Sequence, residues 1–571
     1  MERAIWRPAA ALLMVAAGAA AAEPAVEAGA YLQARQAAFE SDYARASRHY
    51  ATALLQDPSN AALMESTAAA LLNAGEMAQA LVVARAMERG GHTSQIGAMA
   101  LLVERARTGE WDAALRAQEA GRSVGPLMDG LARGWALIGR GEGEAGLAAF
   151  AAVAADPELA GFGRLHEALA RAALGDWAGA ERLFAGRDAS GAKVAEPLRL
   201  SRRLALARVE ILSRLGRGDH ALALLDHLFK DDPDPDVASR RARLAAGERL
   251  AYSGPRDARA GVAEAFFGVA TALRGDAAEG YILLYARAAE ALAPDHPGTA
   301  LLTASLLEGM GRHDLALDRY AAVPEGHPTY PMARLGLASA LGALGRDGEA
   351  IDTLRALAES HPWMPRVHMA LGDARGASGR DGEAVAAYGR ALAAQPDAAR
   401  APWALHYARA LARERLGDGT GARADLARAL RIRPDEPSVL HHLASLMLAT
   451  GEPEAEALAL FERALAASPD SGRMAGSVGW TLLRLGRVEE AVEHLERAAA
   501  LEPLDAELND RLGDALWSAG REREARFQWR RALTLDPAGA EAAWRRLKLA
   551  RGLDDAAPGE GASAVTLLKD R

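Results

Sequence analysis

Four stretches of this chain carry residue types that could do chemistry. Gly139-x-Gly141-x-Gly143 could cradle a phosphate on backbone N–H groups. That chemistry needs G-x-G-x-x-G between a strand and a helix. Here helical patterns lie on both sides, so the glycines read as an inter-helix turn. His166-Glu167 begins a zinc-protease pair, but H-E-x-x-H needs a second His where Ala170 stands. His441 and His442 are adjacent, which sends them to different faces of a helix, so they do not chelate one ion and read as surface histidines. Asp231 to Asp236 offers carboxylates to Ca2+ but lacks the spaced ligands and the glycine of an EF-hand loop, and reads as a solvated linker. Cysteine is absent, which removes thiol nucleophiles, Fe–S clusters and cysteinyl zinc sites. No nucleophile, base and orienting group can be placed together. The expectation is a non-enzymatic protein with no cofactor, no metal and no catalytic residue.

Composition narrows the partners. The formal charge is 67 − 76 = −9, which makes no electrostatic case for nucleic acid. Half the 571 residues are hydrophobic, enough apolar surface to offset the entropy of ordering, and aromatics at 5% argue against a β-rich fold. At the N-terminus, Arg3 and Arg7 precede an apolar run from Ala9 to Ala22, with Ala20-Ala21-Ala22 just before Glu23-Pro24. This is the pattern of a cleavable signal peptide over residues 1–22. The run is shorter than the roughly 20 residues that span a bilayer, although a short uncleaved anchor is the other reading. No later stretch is apolar enough to span. The expectation is an exported, periplasmic chain with no transmembrane segment in its mature form and no lipobox cysteine.

The elements that would position any surface are set by a repeat. Pro362, Pro396, Pro434, Pro469, Pro503 and Pro537 are separated by 34, 38, 35, 34 and 34 residues. Leu371-Gly372 is followed by Gly379, Ala384, Tyr388, Ala391 and Pro396; Leu512-Gly513 by Gly520, Ala525, Trp529, Ala532 and Pro537. Gly479, Gly486, Ala491, Leu495, Ala498 and Pro503 fall at the same offsets. The first small residue lets two helices approach. The second glycine suits a left-handed helix end. Ala384 and Ala391, two turns apart with Tyr388 between, make a small–large–small ridge for a neighbouring helix. Proline ends the second helix. Each unit is an αα-hairpin that must stack to bury its face.

The pattern resembles the tetratricopeptide repeat (TPR), strongly from about Tyr330 to Pro537. Ala46, Tyr50, Ala53 and Pro58 form an early unit, Ala180 with Phe184 and Ala316 with Tyr320 two more, and units around Phe150, Ala221 and Ile282 are degenerate. The resemblance implies an all-α solenoid, a right-handed superhelix of roughly fourteen or fifteen hairpins. The expected organisation is degenerate TPR-like repeats over 23–230 and an irregular helical junction over 231–261. TPR repeats follow over 262–540, then a capping helix over 541–553 and a flexible tail over 554–571. The capping helix should turn Trp544 inward and Arg545, Arg546 and Lys548 outward.

Asn509 to Trp517, Gly520-Arg521, Glu524 to Trp529 and Val478-Gly479-Trp480 give a closer resemblance, to exported bacterial TPR proteins that include adaptors of periplasmic carboxyl-terminal processing proteases. Those adaptors hold a protease and its cell-wall hydrolase substrates but carry a lipidated cysteine, which this chain lacks. The resemblance implies a protein-binding scaffold. The alternative is an envelope-assembly or polysaccharide-export scaffold, which would need a separate barrel partner because no strand alternation is present. The lysine-poor sequence offers no matching clamp for cytosolic chaperone tails. By repeat phase, the first helices line the concave faces, and Tyr407, Arg415, Trp480, Arg484, Arg511, Asp514 and Trp517 are the candidate protein-binding residues. Trp, Tyr and Arg are the types enriched at binding hot spots. The competing reading of Trp480 and Trp517 is packing between hairpins.

Overall fold

A computed structural model describes residues 28–187, 198, 201–230, 234–395, 401–539 and 541–553. The signal segment, the tail, Pro396 and Asp231 to Pro233 lie outside the described residues. Thirty α-helices make up the described chain. Packing divides it after Leu344 into two compact units.

Unit 1 contains α1 (Ala28–Phe39), α2 (Tyr43–Gln56), α3 (Ala61–Asn73), α4 (Met77–Arg89), α5 (Gln95–Thr108), α6 (Trp111–Glu119), α7 (Pro126–Gly139), α8 (Gly143–Ala154), α9 (Ala160–Ala173) and α10 (Trp177–Phe184). It continues with α11 (Arg202–Arg214), α12 (Gly218–Phe229), α13 (Pro235–Ala245), α14 (Ala258–Ala272), α15 (Glu279–Leu292), α16 (Pro297–Gly309), α17 (His313–Ala321) and α18 (Tyr330–Ala343). Unit 2 contains α19 (Asp347–Ser360), α20 (Pro365–Ala377), α21 (Asp381–Ala393), α22 (Trp403–Arg415), α23 (Gly419–Ile432) and α24 (Pro437–Ala449). Its remaining helices are α25 (Glu454–Ala467), α26 (Gly472–Arg484), α27 (Val488–Leu501), α28 (Ala506–Ser518), α29 (Glu522–Leu535) and α30 (Ala542–Arg551).

The repeat offsets have the structural causes expected of them. Gly379, Gly486 and Gly520 have φ of 71°, 77° and 75°, the left-handed region where a side chain is strained. Around Gly379 the helix closes with Gly379 N donating to Gly376 O at 3.1 Å and Arg380 N to Arg375 O at 2.9 Å. A Cβ on Gly372 would lie 2.5 Å from Tyr388 Cε1, and one on Gly513 would lie 2.4 Å from Trp529 Cδ1. The small residue of each first helix is therefore the seat of the large residue of the second. Helices α19, α23, α25, α27 and α29 each stop two residues short of Pro362, Pro434, Pro469, Pro503 and Pro537.

Unit 1 departs from an open solenoid. The first helices of its N-terminal hairpins receive two helices from the same chain: α14 packs on α5, α7 and α9, and α15 on α3 and α5. The fit is close. Trp135 of α7 is fully buried, and a Cβ on Gly261 of α14 would lie 2.1 Å from its Cδ2. Asn73 Nδ2 donates to Gly280 O at 3.0 Å, Gln95 Nε2 to Tyr281 Oη at 2.9 Å, and an Arg312 guanidinium N–H to Ser41 O at 3.0 Å. The face formed by the first helices of these repeats is occupied by α14 and α15. The segment 231–261 lies inside this unit. There Arg240 and Ser253 donate to the buried Glu210 of α11 at 2.5 Å and 2.7 Å, and Leu250 N donates to Ser213 Oγ at 2.9 Å.

The Trp135–Gly261 contact gives a direct test. Gly261→Val is expected to destabilise unit 1 by about 1–3 kcal/mol or more through overpacking. Gly268 lies on the same helix with nothing within 4 Å of its would-be Cβ, so Gly268→Ala should be neutral or slightly stabilising. Denaturant unfolding of both variants reads the difference, and equal effects would rule out the seating of α14 on α7. No helix among the described residues is long and apolar enough to cross a membrane.

Candidate protein-binding face

In unit 2 successive first helices pack directly, α20 on α22 and α26 on α28, whereas no two successive second helices among the described residues pack as closely. A stack that is tighter on one side curves toward it, so the first helices form the inner face. Beneath that face Leu440, Val478, Leu482, Leu495, Leu512 and Trp529 belong to one core.

Polar and aromatic side chains run along this face from helix to helix. Tyr407 Oη of α22 lies 2.9 Å from His442 Nδ1 of α24, with the rings edge-on at 5.3 Å. His441 Nε2 lies 2.9 Å from Ser477 Oγ of α26, and that hydroxyl donates to Arg473 O at 3.1 Å. Burial pushes His441 down to about 4, with His442, Arg473 and Arg511 adding positive charge in the same direction, so it is neutral at pH 7. Arg511 of α28 lies over the Trp480 ring at 5.2 Å and pairs with Glu507. Arg473 is exposed, and its guanidinium has no ion pair or hydrogen bond among the described residues.

Three of the seven candidate residues, Tyr407, Trp480 and Arg511, therefore stand together. The other four do not join them. Arg415 and Arg484 both sit two residues before a capping glycine, and both turn back to the first residue of the preceding second helix. Arg415 pairs with Asp381 at 2.7 Å and Arg484 with Glu454 at 2.9 Å. The carboxylate at that helix start is favoured by the helix dipole, so these pairs staple one hairpin to the next. Asp514 is corrected from a surface residue to a buried one, 2% exposed. It accepts from Trp529 Nε1 at 2.8 Å and Lys548 Nζ at 2.6 Å. Burial raises it to about 6, against the lowering by Lys548. Trp517 lies on Trp529 at 5.4 Å, under Arg526 at 4.9 Å, and a Cβ on Gly552 would meet it at 2.3 Å. It packs under the end of α30.

The capping helix is corrected as well. Trp544 packs against the core, and Arg546 is exposed. Arg545 and Lys548, expected outward, are buried at 3% and 0% exposure. They turn inward because α28 presents Asp510 and Asp514 one turn apart, and Lys548 Nζ meets each at 2.6 Å.

Sequence reasoning missed His441, His442, Arg473 and Ser477 as members of the face. A signal for His442 and Ser477 existed: like Arg511, each stands nine residues before a capping glycine, Gly451, Gly486 and Gly520 in turn.

Two family models described as tetratricopeptide repeat match the chain, one over residues 455–510 and the other over 369–437 and 407–472. A model described as bacterial transcriptional activator domain matches residues 274–398. None of the curated proteins matches the sequence. Among solved structures, the APC/C hetero-tetramer Cut9–Hcn1 is similar at 14% identity over 93% of this chain and 97% of that one, with a TM-score of 0.37. A tetratricopeptide repeat protein from Parabacteroides merdae is similar at 15% identity over 44% and 97%, with a TM-score of 0.35. YrrB, described as a TPR protein with an unusual peptide-binding site, is similar at 15% identity over 34% and 97%, with a TM-score of 0.29. The fold is an all-α TPR solenoid, and such repeats are those of a protein-interaction scaffold.

Proposed function

We propose that the chain is a non-enzymatic scaffold that holds a segment of a partner protein along α22, α24, α26 and α28. One observation carries this reading. The inner face of unit 1 is filled by the chain's own α14 and α15, whereas that of unit 2 presents Tyr407, His442, His441, Ser477, Arg473, Trp480 and Arg511 in a continuous run. The aromatic and guanidinium groups supply anchors of the hot-spot type, and the imidazoles and hydroxyl supply hydrogen bonds to a peptide backbone.

The finer reading is an exported, periplasmic adaptor that brings a processing protease to cell-wall enzymes. It rests on the signal-like first 22 residues and the C-terminal sequence resemblance. Holding two partners on one frame raises their effective concentration without new chemistry. An envelope-assembly or polysaccharide-export scaffold is the second reading, supported by the same face.

In-cell crosslinking of tagged protein, wild type beside Arg473→Glu and Trp480→Ala, tests the face. Loss of an anchoring residue of this kind is expected to weaken capture about tenfold or more. Partners retained equally by both variants would sink the proposal. A processing protease or cell-wall hydrolases among the lost partners supports the adaptor; barrel-assembly or export proteins support the second reading.

A further inference from the structure

Three second helices of unit 2, α25, α27 and α29, carry an arginine at one repeating place, six residues after the buried small residues Ala457, Ala491 and Ala525. There Arg463 of α25, Arg497 of α27 and Arg531 of α29 reach back across a linker. They donate to the carbonyls of Pro434, Pro469 and Pro503 at 3.0, 2.7 and 2.9 Å. Arg390 of α21 holds the same place, six residues after Ala384, and the corresponding linker carbonyl is that of Pro362.

In this repeat the bond is not made. Among the described residues Pro362 O accepts only from His368 Nε2, at 2.9 Å, whereas Pro503 O accepts from Asn509 Nδ2 at 3.3 Å and from Arg531 as well. Arg390 is exposed, and its guanidinium has no ion pair or hydrogen bond among the described residues. Beside it α19, α20 and α21 leave a cleft of about 570 Å3 with Pro362, His368, Arg355, Arg375, Arg390 and Glu359 among its lining. Arg355 is paired with Asp352 at 2.8 Å. Arg375 is recessed at 11% side-chain exposure; its nearest carboxylate, Glu383 at 3.3 Å, is shared with Arg380 at 2.6 Å. Arg375 Nε has no hydrogen-bond partner. His368, 4% exposed, donates through Nε2, which leaves its Nδ1 a buried acceptor without a partner. Burial and the charges of Arg390, Arg380 and Arg355 hold Arg375 below the usual arginine range, against the pull of Glu383.

Arg390, which has no carboxylate partner among the described residues, and Arg375, which shares Glu383 with Arg380, face one cleft whose remaining lining is Arg355, Glu359, His368, Pro362, Leu371 and three alanines. Guanidinium is the side chain that best fits a carboxylate or phosphate, and a recessed setting strengthens the bond. We infer that this cleft, separate from the inner face, is an anion site in which Arg390 and Arg375 hold the carboxylate or phosphate of a small organic anion.

Calorimetric titration of the full chain with inorganic phosphate and with citrate, at constant ionic strength set by chloride, tests this. One of the two is expected to give a saturable one-to-one isotherm. Arg390→Met, an exposed change, should weaken it about tenfold or more. Arg497→Met, at the same repeat place but with its bond to Pro469 O made, should leave it unchanged. Binding of phosphate alone assigns a phosphate-bearing ligand, and binding of citrate alone a carboxylate-bearing one. The inference is overturned if neither anion saturates, if Arg390→Met binds as tightly as wild type, or if both variants lose binding equally.

Discussion

Replacing Lys548 by alanine is expected to destabilise unit 2 by about 3–5 kcal/mol, because it strands two buried carboxylates. The ammonium is fully buried, 2.6 Å from both Asp510 and Asp514, which are themselves 6% and 2% exposed. The nearby Arg545 does not replace it, since its Nε stays 3.8 Å from Asp510. Lys548 also lies 5.3 Å over the Trp529 ring, so the alanine loses packing as well as charge. Urea unfolding followed by tryptophan fluorescence reads the change through Trp517 and Trp529. Adding Asp510→Asn and Asp514→Asn to the alanine variant should recover part of the loss, because the stranded charges are then gone. A cost of under about 1 kcal/mol for Lys548→Ala would mean that water reaches the carboxylates and that α30 does not seal them.

The second large effect is expected at Asp425. This carboxylate is fully buried in the second helix α23, gripped by Arg409 through two bonds of 2.7 Å and by Arg413 through a third of 2.7 Å. Both arginines come from α22, so the carboxylate is the polar clamp of one hairpin. Asp425→Ala leaves Arg409 without a counter-charge and Arg413 with only Asp418 at 3.6 Å, and should cost about 3–5 kcal/mol. Asp435, paired with Arg463 at 2.9 Å, is the control: its side chain is 74% exposed, and Asp435→Ala should move stability by no more than about 0.5 kcal/mol. Equal unfolding midpoints for the two variants would show that the Asp425 cluster is no more than a solvent-screened pair.

These clusters mark the limit of what periodicity reveals. Ala422 and Leu426 belong to the core, but nothing in a single helix tells that the aspartate between them faces inward. Repeat phase puts Asp514 on the concave face, and the phase is correct for α28. What it misses is α30, which brings Lys548 across 34 residues to cover Asp514 and Asp510. Arg415 and Arg484 have the residue type of an anchor and lie on the first helices, where repeat phase puts the concave face. Their carboxylate partners, 34 and 30 residues upstream, turn them into staples.

What the sequence determined by itself is whatever one hairpin and its neighbour decide. That includes the helical class, the glycine ends, the seating of Tyr388 on Gly372 and Trp529 on Gly513, and the proline after α19, α23, α25, α27 and α29. Their causes are local sterics and contacts within about one repeat, so they recur from repeat to repeat. Only the tertiary structure decided which inner face is occupied. The contacts of Asn73 with Gly280 and of Ser41 with Arg312 span 207 and 271 residues. Closure over such distances depends on how small rotations accumulate across many hairpins, and no short window of sequence carries that sum. For the same reason unit 1 uses its inner face to bury its own helices, while unit 2, built from the same repeat, presents Tyr407, His441, Arg473, Trp480 and Arg511 along its own.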